Sequence, residues 1–234
     1  MALAVLSSMC FSCQTINKST SKKSDMTEQK LQYLALGDSY TIGEGVQEEE
    51  RYPMILVDLL AEQNIHIAKP TIIATTGWTT DELQIGIAKT QGLEETYDLV
   101  TLLIGVNNQY RGRSIDNYRE EFTSLLEQAI DFAGGNPDHV FVLSIPDWGI
   151  TPFATEKGVD KAKVAAEIDR YNQLKKEISR SKGVSYTDIT EHYRKHGNKE
   201  DGVVGDNLHP SGKIYRYWAE MVKDEVVGSF KRPK

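Results

Sequence analysis

The chain has 234 residues, enough for one sizeable core and too few for an array of domains. Hydrophobic residues make up 39% and charged residues 26%, with 11 Tyr and 3 Trp, which excludes a disordered or collagen-like chain. Lys plus Arg number 27 against 34 Asp plus Glu, a net charge of −7 with no basic cluster in the body, so nucleic acid is not an expected partner.

The N-terminal segment comes first. Residues 1–17 carry no charge, but the run is too short and too polar to cross a bilayer. The apolar residues Ala2 to Leu6 and Met9 to Phe11 end in Ser12-Cys13, ahead of a polar, lysine-bearing stretch. That order is similar to the signal of a bacterial lipoprotein, with Cys13 as the lipid-anchored residue, although no Lys or Arg precedes the apolar run. The expectation is an exported protein, a cell-envelope lipoprotein or periplasmic; the alternative is a cytoplasmic one with an unstructured start. Both cysteines, Cys10 and Cys13, fall here, so no disulfide is expected in the body.

From Leu31 on, short apolar runs alternate with amphipathic stretches. Strands are predicted at Leu31–Leu36, Thr71–Thr75, Asp98–Val106, His139–Ile145 and Val184–Ile189. Between them, helical spacing links Ile115, Tyr118, Phe122, Leu125 and Ala129, then Ala165, Ile168, Tyr171, Leu174 and Ile178, then Ile214, Trp218, Met221 and Val222. Shorter helices are predicted over Pro53–Gln63 and Thr80–Lys89, the second opened by Thr79-Thr80-Asp81-Glu82, which has the form of a capping box. Alternating β and α elements with nearly continuous apolar strands predict an α/β fold: three layers, α/β/α, around a five-stranded parallel sheet. Residues 1–28 are set apart as the leader-like segment and 29–234 as one domain.

Four polar clusters fall just beyond strands or before the last helix, and that edge of a parallel sheet is where ligands bind. They are Gly37-Asp38-Ser39-Tyr40-Thr41, Thr76-Gly77-Trp78, Gly105-Val106-Asn107-Asn108 and Asp206-Asn207-Leu208-His209-Pro210. A serine attacks an acyl carbon only if a base removes its proton, and an imidazole serves as that base when a carboxylate holds its tautomer. Asp206 and His209 have the residue types and spacing for this, with Asp188 as the rival carboxylate. Backbone N–H groups and an asparagine amide could hold the oxyanion.

In order and spacing these four blocks resemble the SGNH (GDSL-type) hydrolase family over residues 31–218. The resemblance implies a flavodoxin-like fold and the cleavage of carboxylic esters through an acyl-enzyme, with no cofactor and no metal. It implies Ser39 as nucleophile, His209 as base and Asp206 as its orienter, with Ser39, Gly77 and Asn107 as oxyanion donors. Asn108 is a departure, since the family often has Asp there. The aromatic residues Tyr40, Trp78, Tyr110 and Trp148, together with Asn108, are the expected substrate-binding residues, and a small-molecule ester is the expected partner. Short-chain or acetylated-carbohydrate esters fit best because no long apolar lid interrupts the body; thioesters and lysophospholipids are the alternatives. A flavodoxin-like phosphate-binding protein is the reading from another class, but Gly37–Gly45 lacks the P-loop pattern and carries Asp38 and Glu44. His192 and His196, four apart, have the spacing of two metal ligands on one helix, yet no H-E-x-x-H motif surrounds them; a solvated helix is the expectation there.

Overall fold

A computed structural model describes Met1 and residues 30–231. The rest of the leader-like segment, including Cys10 and Cys13, lies outside the described residues. Five strands, β1 (Tyr33–Gly37), β2 (Thr71–Ala74), β3 (Leu99–Leu103), β4 (Val140–Leu143) and β5 (Ser185–Thr187), pair in parallel in the order β2-β1-β3-β4-β5. All residues of β1, β3 and β4 are buried, because helices cover both faces of the sheet and leave no strand face for water.

That strand order dictates where the helices go. The connection from β1 to β2 runs one way along the sheet, and the connections from β2 through β5 run the other; right-handed crossovers therefore put their helices on opposite faces. Helix α1 is the short Ser39–Ile42 turn, and α2 (Tyr52–Ala61) follows it. The second face carries α3 (Thr80–Lys89), then α5 (Ile115–Phe132), which comes after the short α4 (Val106–Tyr110), then α7 (Lys161–Ser181), which comes after the short α6 (Pro152–Glu156). Accordingly α3 packs on α5 and α5 on α7. After β5, α8 (Thr190–His196) leads to α9 (Gly212–Phe230), which crosses back to pack along α2 and closes the first face.

Each predicted strand is present, and each ends or begins a residue or more inside its apolar run. The largest difference is at β3, which stops at Leu103 although the apolar run continues to Val106. Gly105 ends it: its φ of +124° is open to glycine, and a Cβ there would stand 2.6 Å from the Tyr118 hydroxyl and 2.8 Å from Ile145 Cδ1. The chain turns at once into α4. The helix Thr80–Lys89 begins where the capping box put it, with the Glu82 carboxylate accepting the Thr79 N–H at 2.9 Å. No helix among the described residues is long and apolar enough to cross a membrane.

Candidate active site

The strand order reverses between β1 and β3, so the loops leaving these two strands diverge and open a crevice at the carboxyl edge of the sheet. Ser39 follows β1 as the first residue of α1, whose N-cap Asp38 accepts the Tyr40 N–H at 3.1 Å. Asn107 follows β3, on the first turn of α4. Across them lies the loop before α9, bringing His209. The crevice is a cleft of about 180 Å³ lined by Ser39, Tyr40, Val106, Asn107, Tyr110, Trp148, Phe153, Leu208 and His209.

The His209 loop is held from several sides. Val204 N–H donates to the His209 carbonyl at 2.9 Å, and the Tyr193 hydroxyl donates to the Leu208 carbonyl at 3.1 Å. Asn207 takes the left-handed conformation, with φ +62°, and its carbonyl accepts the Phe153 N–H at 3.0 Å. Within this frame Asp206 Oδ1 accepts the N–H groups of Leu208 and His209 at 2.8 and 2.9 Å, and Oδ2 receives the Nδ1–H of His209 at 2.5 Å. Because a carboxylate only accepts, the imidazole proton belongs on Nδ1, which leaves Nε2 a lone pair to offer. Partial burial raises the Asp206 carboxyl, but the hydrogen bonds from His209 and from the two backbone N–H groups outweigh it and hold the group below the usual carboxylate range. The rival carboxylate, Asp188, is engaged elsewhere, accepting from Ser144 Oγ at 3.3 Å and Thr190 N–H at 3.0 Å.

Asn107 donates one amide hydrogen to the Trp78 carbonyl at 2.9 Å, which orients the side chain and leaves its second hydrogen free of that bond. Gly77 sits in the same turn after β2 with φ +87°, and its carbonyl accepts from Arg111 Nη2 at 2.6 Å. Ser39 is 4% exposed and His209 8%, so the imidazole and the hydroxyl share a nearly dry floor where charge is poorly screened.

Two expected substrate-binding residues fall outside the cleft lining. Asn108 is fully buried: its Oδ1 accepts the Thr80 N–H at 3.1 Å and its Nδ2 donates to Thr80 Oγ1 at 2.6 Å, fixing the start of α3. The Trp78 ring lies against α3 at Gly86, where a Cβ would come within 2.2 Å of it. Tyr40 does reach the cleft but is 2% exposed, its ring centroid 5.7 Å from that of His209 and 6.1 Å from that of Trp218; it supports the base from beneath. Tyr110 and Trp148 form the wall, edge to face at 5.2 Å, and the Trp148 indole donates to Gln109 Oε1 at 2.8 Å. Phe153, Val106 and Leu208 complete the wall without any signal in the sequence beyond their apolar character. His192 and His196 stack on one another at 4.4 Å and pack with Tyr217, away from the cleft lining. Among the described residues, no group of three or more His, Cys, Asp or Glu has the arrangement of a metal site.

Residues 35–217 match the model of the GDSL-like lipase/acylhydrolase family. The chain belongs to that family. It is thus a carboxylic ester hydrolase by kinship, and its sheet and helices are those of the SGNH hydrolase fold. No match was found among curated protein sequences. Among solved structures it is similar to a lipase/acylhydrolase from Enterococcus faecalis, at 15% identity and TM-score 0.68, covering 87% of this chain and 98% of that one. An acetylxylan esterase from Geobacillus stearothermophilus superposes at 17% identity and TM-score 0.64, covering 84% of this chain and 94% of that one. A lipase from a goat rumen metagenome does so at 17% identity and TM-score 0.68, covering 84% and 97%. At these identities the likeness is one of fold.

Proposed function

We propose that this GDSL-family hydrolase removes short acyl groups, acetyl above all, from the hydroxyls of carbohydrates or comparable alcohols by way of an acyl-serine intermediate. The observation that carries the chemistry is the His209–Asp206 pair, whose geometry directs the proton to Nδ1 while His209 shares a cleft with Ser39. In the first half-reaction Ser39 Oγ attacks the acyl carbon as His209 Nε2 takes its proton. The oxyanion that forms is met by the Ser39 and Gly77 N–H groups and the Asn107 amide, which stabilise charge that the ground-state carbonyl does not carry. His209 then gives its proton to the departing alcohol. Water, deprotonated by the same imidazole, attacks the acyl-serine and restores the enzyme. Asp206 stays ionised throughout and stabilises the imidazolium.

The size of the cleft supports a small acyl group. A volume of about 180 Å³ is close to that of an engineered cavity of about 150 Å³ that accepts benzene, room for an acyl group of a few carbons. Tyr110, 58% exposed and backed by Trp148, offers a flat apolar face at the rim on which an alcohol such as a sugar ring can rest. The test is a panel of p-nitrophenyl acetate, p-nitrophenyl octanoate, acetylated xylo-oligosaccharide, an acyl thioester and a lysophospholipid. The acetyl esters should be cleaved with the highest kcat/KM, Ser39→Ala should lose all but a trace of turnover, and a fluorophosphonate should label Ser39. A preference for octanoyl over acetyl would refute the substrate assignment, and full activity in Ser39→Ala would refute the mechanism. Export with a lipid anchor at Cys13 is supported by the sequence pattern alone and is tested by incorporation of labelled palmitate.

A further inference from the structure

Under the cleft lies a basic side chain to which the reaction above gives no role. Lys175, on α7, is fully buried. Enclosing an amine in a core is costly, and a residue needed only to fill space there would be Met or Leu. Its Nζ donates to the Ile104 carbonyl at 3.0 Å, the Tyr118 hydroxyl donates to the same oxygen at 3.2 Å, and Nζ lies 5.4 Å from the centroid of the Phe122 ring. Ile104 is the residue at which the chain leaves β3 for Gly105 and α4, so two donors from α7 and α5 grip the peptide just before Asn107.

A second buried ionisable group stands at the end of β1. Asp38 is buried beside Ser39; its Oδ1 accepts the Tyr40 N–H, and its Oδ2 has no hydrogen-bond partner among the described residues. Burial pushes the Lys175 amine down to about 7 and the Asp38 carboxyl up to about 7, and the charge of each partly offsets the other's shift. Lys175 is bonded to the exit of β3, one of the two strands that flank the crevice.

We infer that Lys175 is a positioning residue of the hydrolytic site, holding the end of β3 from α7 so that the Asn107 amide keeps the distance an oxyanion requires. This rests on the reading of the cleft given under Proposed function. The need for such a tie follows from α4 itself. It has five residues, too few to be stable alone; Asn107 and Asn108 anchor it to Trp78 and Thr80 on the β2 side and Gln109 to Glu167 and Trp148 on the other, but none of these holds the strand end at Ile104 itself. Oxyanion donors work at about 2.7–3.1 Å, and a misplacement of about 1 Å can cost about 10²-fold in rate.

The test is Lys175→Met, apolar and of similar length, assayed on p-nitrophenyl acetate. The expected result is a fall in kcat of about 10²-fold with KM within about two-fold, the mark of an interaction felt in the transition state. Combined with Asn107→Ala, which removes the group that Lys175 positions, Lys175→Met should cost no more than about a further three-fold. An unchanged kcat, or a loss that multiplies in full with that of Asn107→Ala, would mean that Lys175 only fills space and would overturn the inference. Should Lys175→Met fail to fold because the Asp38 charge is left unmatched, the same substitution is measured in an Asp38→Asn background against Asp38→Asn alone, with the same expectations. An unmodified protein that cleaves no ester and takes up no fluorophosphonate would overturn the hydrolase reading and this inference together. An active one indifferent to Lys175→Met overturns this inference only.

Discussion

Replacing Asp206 by Asn exchanges one oxygen of the proposed site for an NH₂ group and sets its geometry against itself. Oδ1 of the asparagine can keep the N–H bonds of Leu208 and His209, at 2.8 and 2.9 Å in the native site, so the loop and the fold survive. The second carboxylate oxygen, which receives the His209 Nδ1–H at 2.5 Å, becomes an NH₂ group. Two donors then face each other, and the imidazole relieves the conflict by moving its proton to Nε2, the atom that must accept from Ser39. An asparagine at this place in a serine triad costs about 10⁴-fold in kcat, or about 5.5 kcal/mol of transition-state stabilisation at 1.36 kcal/mol per decade. Asp188→Asn is the control: that carboxylate bonds Ser144 and Thr190 and not His209, so kcat should stay within about three-fold. Initial rates on p-nitrophenyl acetate, with circular dichroism to verify folding, give both numbers. If Asp188→Asn proves the more damaging of two folded variants, the assignment of the orienting carboxylate is wrong.

Three further outcomes are expected. Asn108→Ala strands the buried Thr80 N–H and should lower the free energy of urea unfolding by about 1–3 kcal/mol while kcat/KM changes little; a large loss of activity in a stable protein would return Asn108 to the substrate. Tyr110→Ala, at an exposed ring, should alter stability by less than about 0.5 kcal/mol and raise KM for an acetylated oligosaccharide more than for p-nitrophenyl acetate; equal effects on both would deny the rim its part in binding the alcohol. Burial raises the Asp38 carboxyl to about 7, whereas it titrates near 4 once unfolded. The native state therefore holds a proton that the unfolded chain has released between those values, and this group's contribution to stability falls as pH rises from about 4 to about 7, by at most about 1.4 kcal/mol per unit. Urea midpoints of the native protein and of Asp38→Asn should diverge across that window; parallel curves would show that Asp38 is not so perturbed.

The strands were legible because a sheet covered on both faces needs unbroken apolar runs, and β1, β3 and β4 are such runs with every residue buried. Their ends were not, since the end of β3 is decided by the left-handed backbone at Gly105 rather than by hydrophobicity. The short helices α4 and α6, of five residues each, are shorter than two turns and leave no period to detect. The same α4 sends Asn107 and Asn108 in different directions. Adjacent residues on a helix point about 100° apart, so Asn107 reaches the cleft while Asn108 turns into α3. Trp78 follows Gly77 in the chain, but its ring falls back on the bare backbone of Gly86. Lys175 offered no signal at all. Lysines are common on helix faces, and only the packing of α7 over the end of β3 reveals that this one is enclosed.

The placement of α9 across α2 has a consequence for when the protein can act. Ser39, Gly77 and Asn107 all precede the Gly134-Gly135 turn, whereas Asp206 and His209 follow it and lead directly into α9. On the mechanism proposed above, a growing chain carries Ser39 long before it carries His209, and the site is complete only once α9 has packed on α2 with the Trp218 ring 6.1 Å from that of Tyr40. Cut at the Gly134-Gly135 turn, the enzyme would divide into two halves, each silent alone, whose reunion could be followed by the appearance of hydrolysis.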